Sequence, residues 1–285
     1  MILDGKVVAA SIKEQLKEEI EQLKTTVGRR PRLLIISVGD DPASKVYVRN
    51  KKKAAEEVGI EVNHLQFGIT KKDAFDVISA IFFHNGYDKT DGIMVQLPLP
   101  EGWNERAIID AIDPAKDVDG LTTTNIGRLR SGQPCIKPCT AAGVMDLLAY
   151  YNIELEGKEV TIIGRSNIVG KPLADMMMAE GATVTQCHSK TTHIPKHTWS
   201  ADIVVSAIGQ PKYFNGNYFL APIEAIIDVG INRDENGKLC GDVDYEDVKD
   251  YAEAITPVPG GVGPMTVAEL MKNTVECWKQ NNKGE

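Results

Sequence analysis

The sequence predicts an α/β protein built from two α/β domains. Strand-like and helix-like segments alternate along most of the chain, which is typical of parallel sheets with crossover helices. The chain has 285 residues, of which 42% are hydrophobic and 25% charged, and this length suits one large domain or two modest ones. A Gly- and Pro-containing passage, GRLRSGQPCIKPCTAAG, separates two alternating blocks.

The first block begins with a short β-rich run. RLLIISVG predicts a strand, a helix over SKVYVRNKKKAAEEVGI follows the turn GDDPAS, and GIEVNHLQF predicts a second strand. The amphipathic segment KKDAFDVISAIFFHNG predicts a helix that ends at Gly86. The apolar run DGIMVQLPLP predicts a third strand, which its prolines stop.

The second block predicts four strands and a terminal helix. Thr140 is expected to cap a linking helix over AAGVMDLLAYYNI. The strands are KEVTIIG, ATVTQCH, ADIVVSAIG and EAIIDVGIN, with a helix over KPLADMMMAEG between the first two. After the loop TPVPGGVGP, Thr266 and Glu269 predict a capping box for the helix TVAELMKNTVECWKQ. This helix is expected to pack back on the first block, which would make the N-terminal domain discontinuous.

Charge and composition exclude several classes of protein. The net charge of −8 argues against a nucleic-acid binder, because such proteins need a basic footprint. Five scattered cysteines without a C-x-x-C pair signal neither a disulfide framework nor a zinc site. His193 and His197 have i, i+4 spacing, but Pro195 between them argues against a helical metal face. The sequence shows no secretory signal or membrane span, so a cytoplasmic protein is expected.

One stretch departs from this acidic balance. Between Gly28 and Lys53 there are eight basic residues against Asp40 and Asp41. A local excess of positive charge on an acidic protein can attract a small anionic ligand. The same excess is also typical of an ordinary charged surface.

A glycine-bearing turn in the second block indicates a nucleotide site. VTIIGRSNIVGKPLADMMMAEG predicts a strand, a turn with Gly164 and Gly170, and a helix. Such a turn lets a phosphate approach backbone N–H groups at a helix N-terminus, as in Rossmann-type domains. The spacing differs from G-x-G-x-x-G, so an ordinary tight turn is the alternative.

The end of the following strand favours NADP over NAD. NAD-binding units usually carry an acidic residue there for the ribose 2′-hydroxyl, but this strand ends in His188, Ser189, Lys190 and Thr191. Hydroxyl and cationic groups suit a 2′-phosphate, and Arg165 could contribute its guanidinium. A solvent-facing loop arginine is the alternative.

Helical periodicity separates three consecutive lysines of the first block. At about 100° per residue, an apolar stripe is formed by Tyr47, Ala54, Ala55 and Val58. Lys51 lies about 40° from Tyr47, within this stripe. Its methylenes could be buried while the amine reaches water. Alternatively, the amine points into a cleft, where partial desolvation would favour the neutral form and proton transfer.

The other two lysines lie on the polar side of the helix. Lys52 and Lys53 fall at about 140° and 240° on the same wheel, alongside Arg49. They precede Glu56 and Glu57 by four residues, so surface ion pairs with these glutamates are expected.

Two further segments carry polar groups that could complete a site. Gln96 ends a strand beside prolines, and DPAKDVDGL brings Asp113, Asp117 and Asp119 into a turn-rich passage. A strand-end glutamine and ordinary turn or cap aspartates are the alternative interpretations.

Taken together, these stretches resemble one family, the bifunctional methylenetetrahydrofolate dehydrogenase/methenyltetrahydrofolate cyclohydrolases. YVRNKKKAAEEVGI resembles its Y-x-x-x-K helix, VQLPLP its folate-site strand, and KDVDGL its pterin-site turn. GRSNIVGKP resembles its nucleotide loop and PVPGGVGPMTVAELMKNT its C-terminal signature. One departure is Ala141, where the family usually has proline.

The resemblance implies a set of site residues. The implied catalytic residues are Lys51, Tyr47, Gln96 and Asp119: Lys51 would mediate proton transfer, and Asp119 would bind the pterin edge. Tyr47 would position the aminobenzoyl group, and Gln96 would hydrogen-bond the lysine. The implied substrate-binding residues are Tyr47, Lys51, Val95, Gln96, Leu97, Pro98, Asp119, Pro259, Gly260, Gly261 and Val262. The implied cofactor-binding residues are Gly164, Arg165, Ser166, Ile168, Val169, Ser189 and Ile231.

The resemblance also implies domains, reaction and partners. Residues 1–139 and 266–285 would form the folate-binding catalytic domain, and residues 140–265 an NADP-binding Rossmann-type domain with a cleft between the two. The enzyme would oxidise methylenetetrahydrofolate with NADP⁺ and hydrolyse the methenyl product to 10-formyltetrahydrofolate, without a metal. Its partners would be tetrahydrofolate derivatives, including polyglutamylated ones, and a second copy in a homodimer, with no nucleic acid or membrane.

Three alternatives stay open at this point. The first is a dehydrogenase that has lost the cyclohydrolase step, and the second is a non-catalytic NADP- or folate-binding sensor. Retention of Tyr47, Lys51, Gln96 and Asp119 argues against the first, and retention of Lys51 and Gln96 argues against the second. The third is another two-domain NADP dehydrogenase, such as one for shikimate, against which VQLPLP and PVPGGVGPMT argue.

Overall fold

The computed structural model describes residues 1–220 and 222–282. Within these residues the α-helices are α1 (Gly5–Val27), α2 (Pro42–Val58), α3 (Lys71–Gly86), α4 (Glu105–Asp110), α5 (Thr123–Arg130), α6 (Cys139–Tyr150), α7 (Gly170–Ala179), α8 (Pro195–Thr198), α9 (Tyr245–Val248) and α10 (Val262–Asn281). The strands are β1 (Arg32–Val38), β2 (Glu61–Phe67), β3 (Gly92–Val95), β4 (Glu159–Ile163), β5 (Thr183–Cys187), β6 (Ile203–Ser206), β7 (Ile223–Asp228), β8 (Asn232–Arg233), β9 (Leu239–Cys240) and β10 (Ala252–Ile255).

The chain divides into two compact units. The N unit contains residues 10–139 and the chain from Val267 onward, and the C unit contains residues 1–9 and 140–266. The sequence-based boundaries placed residues 1–9 in the N-terminal domain. In the structure they belong to the C unit, because Leu3 N donates to Ile255 O and Gly5 N donates to Gly260 O, both at 2.9 Å.

The N unit is built on a parallel three-stranded sheet with the order β2-β1-β3. Side chains of β1 alternate between two cores, as the two-residue period of a strand requires. Leu33 and Ile35 pack in a core with residues of α1, α2 and α10. Leu34 and Ile36 pack in another core with residues of α3 and α4. The central strand is therefore covered by helices on both faces.

The C unit contains a parallel five-stranded sheet with the order β10-β7-β6-β4-β5. The chain passes from β4 to β5 on one side and then to β6 on the other side of β4. In such doubly wound sheets the loop at this change of direction is the usual ligand site. The two sheets confirm the predicted α/β class with a Rossmann-type second domain.

Most predicted elements are present. The long helix α1, strand β10 and several short elements were not predicted, and the two predicted caps are absent. Thr140 lies inside α6, which begins at Cys139, and its Oγ1 accepts a hydrogen bond from Thr266 Oγ1 at 3.2 Å. Helix α10 begins at Val262, one turn before the predicted cap. This earlier start is possible because Pro264 falls in the first turn, where backbone N–H groups need no helical partner.

No helix among residues 1–220 and 222–282 is long and apolar enough to cross a membrane.

Candidate active site

Lys51 is held on the buried side of α2, as helical periodicity predicts. The neighbouring Ala54, Ala55 and Val58 are buried, while Lys51 is half-buried and its Nζ donates a hydrogen bond to Gln96 Oε1 at 3.1 Å. The amine therefore reaches a polar side chain of the sheet rather than ending only in solvent. Tyr47, predicted in the apolar stripe, is instead 42% exposed.

The exposure of Tyr47 follows from its place in the helix. Helix α2 starts directly after β1, so its first turns lie at the carboxyl end of the sheet, where no strand continues beneath the ring. A phenol face left open beside an amine can hold a flat aromatic ligand.

The side chain of Gln96 has a fixed orientation at the end of β3. Its backbone N donates to Ile36 O at 2.8 Å, which extends the pairing of β3 with β1. Its Nε2 donates to Leu97 O at 2.7 Å, and this contact directs Oε1 towards Lys51. Val95 is buried, Leu97 is half-buried and Pro98 is exposed, so the chain passes from the interior to the surface at the end of β3.

Asp119 lies in a loop fixed by contacts on several sides. Burial raises the pKa of its carboxyl group, an effect that the charge of Lys51 opposes. Gly120 follows with φ +69°, and a side chain there would meet Lys137 C at 2.5 Å. Only glycine fits this close approach without rearrangement.

Asp113 and Asp117, which the sequence grouped with Asp119, have structural roles. Asp117 is buried and accepts hydrogen bonds from the backbone N–H groups of Leu121 and Thr122 at 3.1 and 2.8 Å. Asp113 accepts from Ala115 N at 2.9 Å in a local turn. The turn interpretation therefore holds for these two residues, while the role of Asp119 stays a prediction.

Asn273 of α10 supports the Asp119 loop, and sequence reasoning missed it. Its Nδ2 donates to Val118 O and Lys137 O, both at 2.9 Å. Cys139 adds a thiol donor to Val118 O at 3.2 Å. Burial raises the pKa of this thiol well above its usual range, so it stays protonated. A lone amide on a helix carries no sequence signal for contacts more than 130 residues away.

Replacing Asn273 with Ala is expected to lower the free energy of unfolding by about 1 to 3 kcal/mol, because the carbonyls of Val118 and Lys137 each lose an amide donor. Chemical denaturation followed by circular dichroism measures this loss. Gln280→Ala, which removes an exposed amide from the same helix, is the control and should change stability by less than about 0.5 kcal/mol. Equal losses of stability in both variants would exclude a specific role of Asn273 in supporting the Asp119 loop.

The glycine turn after β4 is shaped for close backbone approach. Gly164 has φ +140°, and a side chain at Gly170 would meet Gly164 O at 2.3 Å. Ser166 Oγ accepts hydrogen bonds from Val169 N and Gly170 N at 3.1 and 3.4 Å. Val169 is buried while Ile168 is 42% exposed. The tight turn thus begins α7 and leaves an exposed apolar side chain at its rim.

Arg165 and Ser189 project from adjacent strand ends. Ile163 of β4 is paired with Cys187 of β5, and the two residues each lie two positions beyond this pair. Both are exposed, and Arg165 forms no ion pair with a described residue. No carboxylate occurs between His188 and Thr191, so this edge can accept a dianion.

The remaining predicted site residues also lie in the C unit. Ile231 follows β7 and is 46% exposed. The segment Pro259 to Val262 leads into α10 and is tied down by a hydrogen bond from Gly261 N to Pro257 O at 2.8 Å. Tyr47, Lys51, Gln96 and Asp119 belong to the N unit.

Two buried aspartates, Asp228 and Asp242, fix the loops that follow β6 and β7, and sequence reasoning missed both. Asp242 is fully buried and accepts hydrogen bonds from Ile208 N at 2.7 Å, Gln210 N at 2.9 Å and Asn232 Nδ2 at 2.8 Å. Since Asn232 follows Ile231 directly, this carboxylate sets the backbone at one predicted cofactor residue.

The described residues contain no group of three or more His, Cys, Asp or Glu side chains that could hold a metal ion. His193 instead packs edge-on against Trp199, with ring centroids 5.7 Å apart.

Comparisons with known proteins identify the family of this chain. The sequence model of the tetrahydrofolate dehydrogenase/cyclohydrolase catalytic domain matches residues 3–119, and that of the NAD(P)-binding domain matches residues 138–282. The bifunctional protein FolD of Streptococcus thermophilus is 48% identical over 286 residues, covering 100% of this chain and 99% of that protein.

Solved structures give the same result. The bifunctional enzyme FolD of Campylobacter jejuni, a methylenetetrahydrofolate dehydrogenase/cyclohydrolase, superimposes with a TM-score of 0.94 at 44% identity, covering 98% of this chain and 99% of that one. The Trypanosoma brucei dehydrogenase-cyclohydrolase, complexed with NADP cofactor and inhibitor, gives a TM-score of 0.92 at 38% identity, covering 98% and 97%. These matches confirm the resemblance drawn from the sequence motifs. The chain belongs to the tetrahydrofolate dehydrogenase/cyclohydrolase family.

Proposed function

We propose that this protein oxidises 5,10-methylenetetrahydrofolate to 5,10-methenyltetrahydrofolate with NADP⁺ and then hydrolyses the methenyl form to 10-formyltetrahydrofolate. The observation that carries the proposal is the hydrogen bond from Lys51 Nζ to Gln96 Oε1. It lies in the unit that contains nearly all of the matched catalytic-domain sequence, residues 3–119. Family membership and full-length similarity to a bifunctional relative support both activities.

The N unit would bind the folate. The exposed ring of Tyr47 would stack on the aminobenzoyl group, with Val95, Leu97 and Pro98 along the strand end. The Asp119 carboxylate would accept N–H donors of the pterin, and two such bonds fix its orientation. The segment Pro259 to Val262, which belongs to the C unit, would supply further substrate contacts.

The C unit would bind NADP, which supplies the hydride acceptor when bound. The Gly164 turn, with Ser166, Ile168 and Val169, would hold the dinucleotide, and Ile231 would contact it. Arg165 and Ser189 would hold the 2′-phosphate. The first step transfers a hydride from the methylene carbon and leaves the methenyl cation, so it requires positioning more than proton transfer.

The second step requires proton transfer, and Lys51 is the residue placed for it. Water adds through its oxygen to the methenyl carbon, and the bond from that carbon to N5 breaks. Of the two water protons, one ends on N5 and one is released. A neutral Lys51 amine would accept a proton from the attacking water and deliver it as the ring opens. Gln96 would hold the amine in place.

The reaction can be tested directly with purified protein. Incubation with methylenetetrahydrofolate and either NADP⁺ or NAD⁺ is expected to give the reduced nucleotide and 10-formyltetrahydrofolate, with NADP⁺ preferred. Accumulation of the methenyl compound without further hydrolysis would identify a dehydrogenase-only member instead. Absence of nucleotide reduction would exclude the proposed function.

Replacing Arg165 with Ala is expected to weaken NADP binding about tenfold while changing NAD binding little, because the charge-assisted contact to the 2′-phosphate is lost. Fluorescence titration with both nucleotides measures this. Lys171→Ala removes a positive charge from the same segment, where Lys171 bonds Asn167 Oδ1 at 2.7 Å, and serves as the control. An equal loss for NADP and NAD in Arg165→Ala would exclude the 2′-phosphate role.

The proposal extends to a homodimeric, cytoplasmic enzyme. Exposed apolar residues often mark association surfaces, and Phe75, Phe82 and Phe83 of α3 are 62 to 70% exposed. Sedimentation velocity measures the oligomeric state.

A further inference from the structure

A pocket of about 340 Å³ lies in the N unit, apart from the residues proposed to bind substrate. Its walls are one side of α2 and the ends of β1 and β2. None of Tyr47, Lys51, Gln96 or Asp119 lines it. On the helix, Arg49 and Lys52 are offset from Lys51 by about 160° and 100°. The volume falls within the range of small-molecule sites.

The pocket is rich in cations that lack a protein partner. Arg49, Lys52 and Lys53 line it, and none of the three forms an ion pair with a described residue. The predicted pairs of Lys52 and Lys53 with Glu56 and Glu57 are therefore wrong. Glu57 is instead bound by Lys13 of α1 at 2.8 Å, which competes for its carboxylate.

The acidic groups nearby neutralise only part of this charge. Lys45 also lines the pocket and pairs with Asp40 at 2.6 Å. Asp41 caps α2 by accepting from Ser44 N at 2.7 Å. Glu56 is the remaining carboxylate in the wall. Three cations without an ion-pair partner among the described residues therefore line a concave surface on a protein of net charge −8. A cleft lined by charges of one sign focuses their electrostatic field and attracts ligands of the opposite sign.

The floor adds a hydrogen-bond donor. The buried Ser37 hydroxyl lies 2.8 Å from His64 Nε2. Burial, and then the charge of Lys52, lower the pKa of His64, so the ring is neutral near pH 7. If Ser37 donates to Nε2, the ring carries its proton on Nδ1. If Nε2 donates, the Ser37 O–H is free. Either arrangement leaves one donor for a ligand.

We propose that this pocket binds a small polyanion with clustered phosphate or carboxylate oxygens. Arg49, Lys52 and Lys53 supply the charge, and the Ser37–His64 pair supplies a neutral donor at the floor. Two sources share this chemistry: a free phosphorylated metabolite and the γ-linked glutamyl tail of a folate.

The γ-linked glutamyl tail of a folate can reach the pocket because the pocket borders the residues proposed to bind the folate. Ser44 and Val48 line the pocket and lie three residues before Tyr47 and Lys51, so each pair is adjacent on the helix surface. This second source rests on the proposed function, whereas the first does not.

Calorimetric titration with pyrophosphate and with γ-linked triglutamate tests the pocket. Both probes are applied to the wild type and to the double variant Arg49→Gln/Lys52→Gln, in which glutamine preserves helix propensity. The wild type is expected to bind at least one probe, and the variant is expected to bind it at least about tenfold more weakly. Lys71→Gln/Lys72→Gln removes the same net charge from α3 and should bind like the wild type.

The outcomes test ligand binding in the pocket and the proposed function separately. The probe that binds more tightly identifies the source. No binding of either probe to the wild type, or equal weakening in both double variants, overturns the proposal. Methenyltetrahydrofolate monoglutamate hydrolysis is measured in parallel and should be unchanged in Arg49→Gln/Lys52→Gln. A wild type that binds a probe but lacks hydrolysis would retain the pocket and exclude the proposed function.

Discussion

Replacing Lys51 with Met is expected to lower the rate of methenyltetrahydrofolate hydrolysis by about 10²- to 10⁴-fold, the usual contribution of a positioned proton-transfer group. Methionine preserves much of the length and the apolar stem but cannot accept or deliver a proton. The hydrogen bond from Lys51 Nζ to Gln96 Oε1 holds the amine at the end of β3. A water molecule in place of the amine would not be held in the same geometry.

The same change should affect other properties much less. NADP binding involves C-unit residues in the proposal, so its dissociation constant should stay within about twofold of the wild type. Hydride transfer requires positioning, so NADPH formation should fall less than hydrolysis.

Lys53→Met provides a matched control, because it removes a lysine two positions along the same helix from an exposed site. The formation of 10-formyltetrahydrofolate and the formation of NADPH are followed in parallel for both variants. Wild-type hydrolysis in Lys51→Met would exclude the proton-transfer assignment. A loss of hydrolysis in Lys53→Met as large as in Lys51→Met would show that the effect belongs to the helix as a whole.

Local patterns predicted the elements around this lysine well. Helix α3 spans Lys71–Gly86 as the amphipathic segment indicates, and β1 covers Arg32–Val38. The position of Lys51 also followed from sequence, since the 3.6-residue period determines which side of a helix a residue occupies. Each of these inferences depends on neighbours within a few residues.

Contacts between distant segments could not be predicted from the same patterns. The pairing of Lys13 with Glu57 removed a partner that the i, i+4 rule had assigned to Lys53. Asn273 reaches Val118 across 155 residues, and no periodicity connects them. The sequence resemblance supplied the proposed roles of Gln96 and Asp119, but only the fold shows that Gln96 bonds Lys51.

The aspartate pair of the C unit is another arrangement of this kind. Asp228 is buried at the end of β7 and accepts hydrogen bonds from Gly230 N at 2.9 Å and Val243 N at 2.8 Å. A side chain at Gly241 would meet Asp228 Oδ2 at 1.8 Å. Glycine at this position is therefore required by the carboxylate, and the pair joins two loops that the sequence leaves unconnected.

Replacing Asp228 with Asn is expected to lower the free energy of unfolding by about 1 to 3 kcal/mol, because the amide can accept through one oxygen only. The Gly230 and Val243 N–H groups bond to different carboxylate oxygens. Asparagine would therefore present its own N–H₂ to one of these buried donors. Chemical denaturation of both proteins measures the difference, and Asp250→Asn, at an exposed position of the same unit, is the control.

The pH dependence of this difference tests the charge state of Asp228. Burial raises its pKa from 3.8 to about 7, against the opposing effect of the backbone donors. Between these values the native protein binds more protons than the unfolded chain, so this group lowers stability as the pH rises. Asparagine does not titrate. The stability advantage of the wild type over Asp228→Asn should therefore be largest near pH 4 and should narrow up to about pH 7.

Burial favours the protonated form of Asp228, whereas the backbone donors favour the ionised form. The balance of these two effects determines how the stability difference changes with pH. A shift of this size corresponds to an upper limit of roughly 4 kcal/mol between the extremes of pH, while each hydrogen bond to a charged acceptor contributes about 1.5 to 3 kcal/mol. Two or three such bonds are comparable with the cost of burial. A wild-type advantage that stays constant from pH 5 to pH 8 would mean that the backbone donors outweigh burial and that the native carboxylate is ionised throughout this range. A narrowing advantage would mean that burial dominates and that protonation of Asp228 stabilises the loop that carries Ile231.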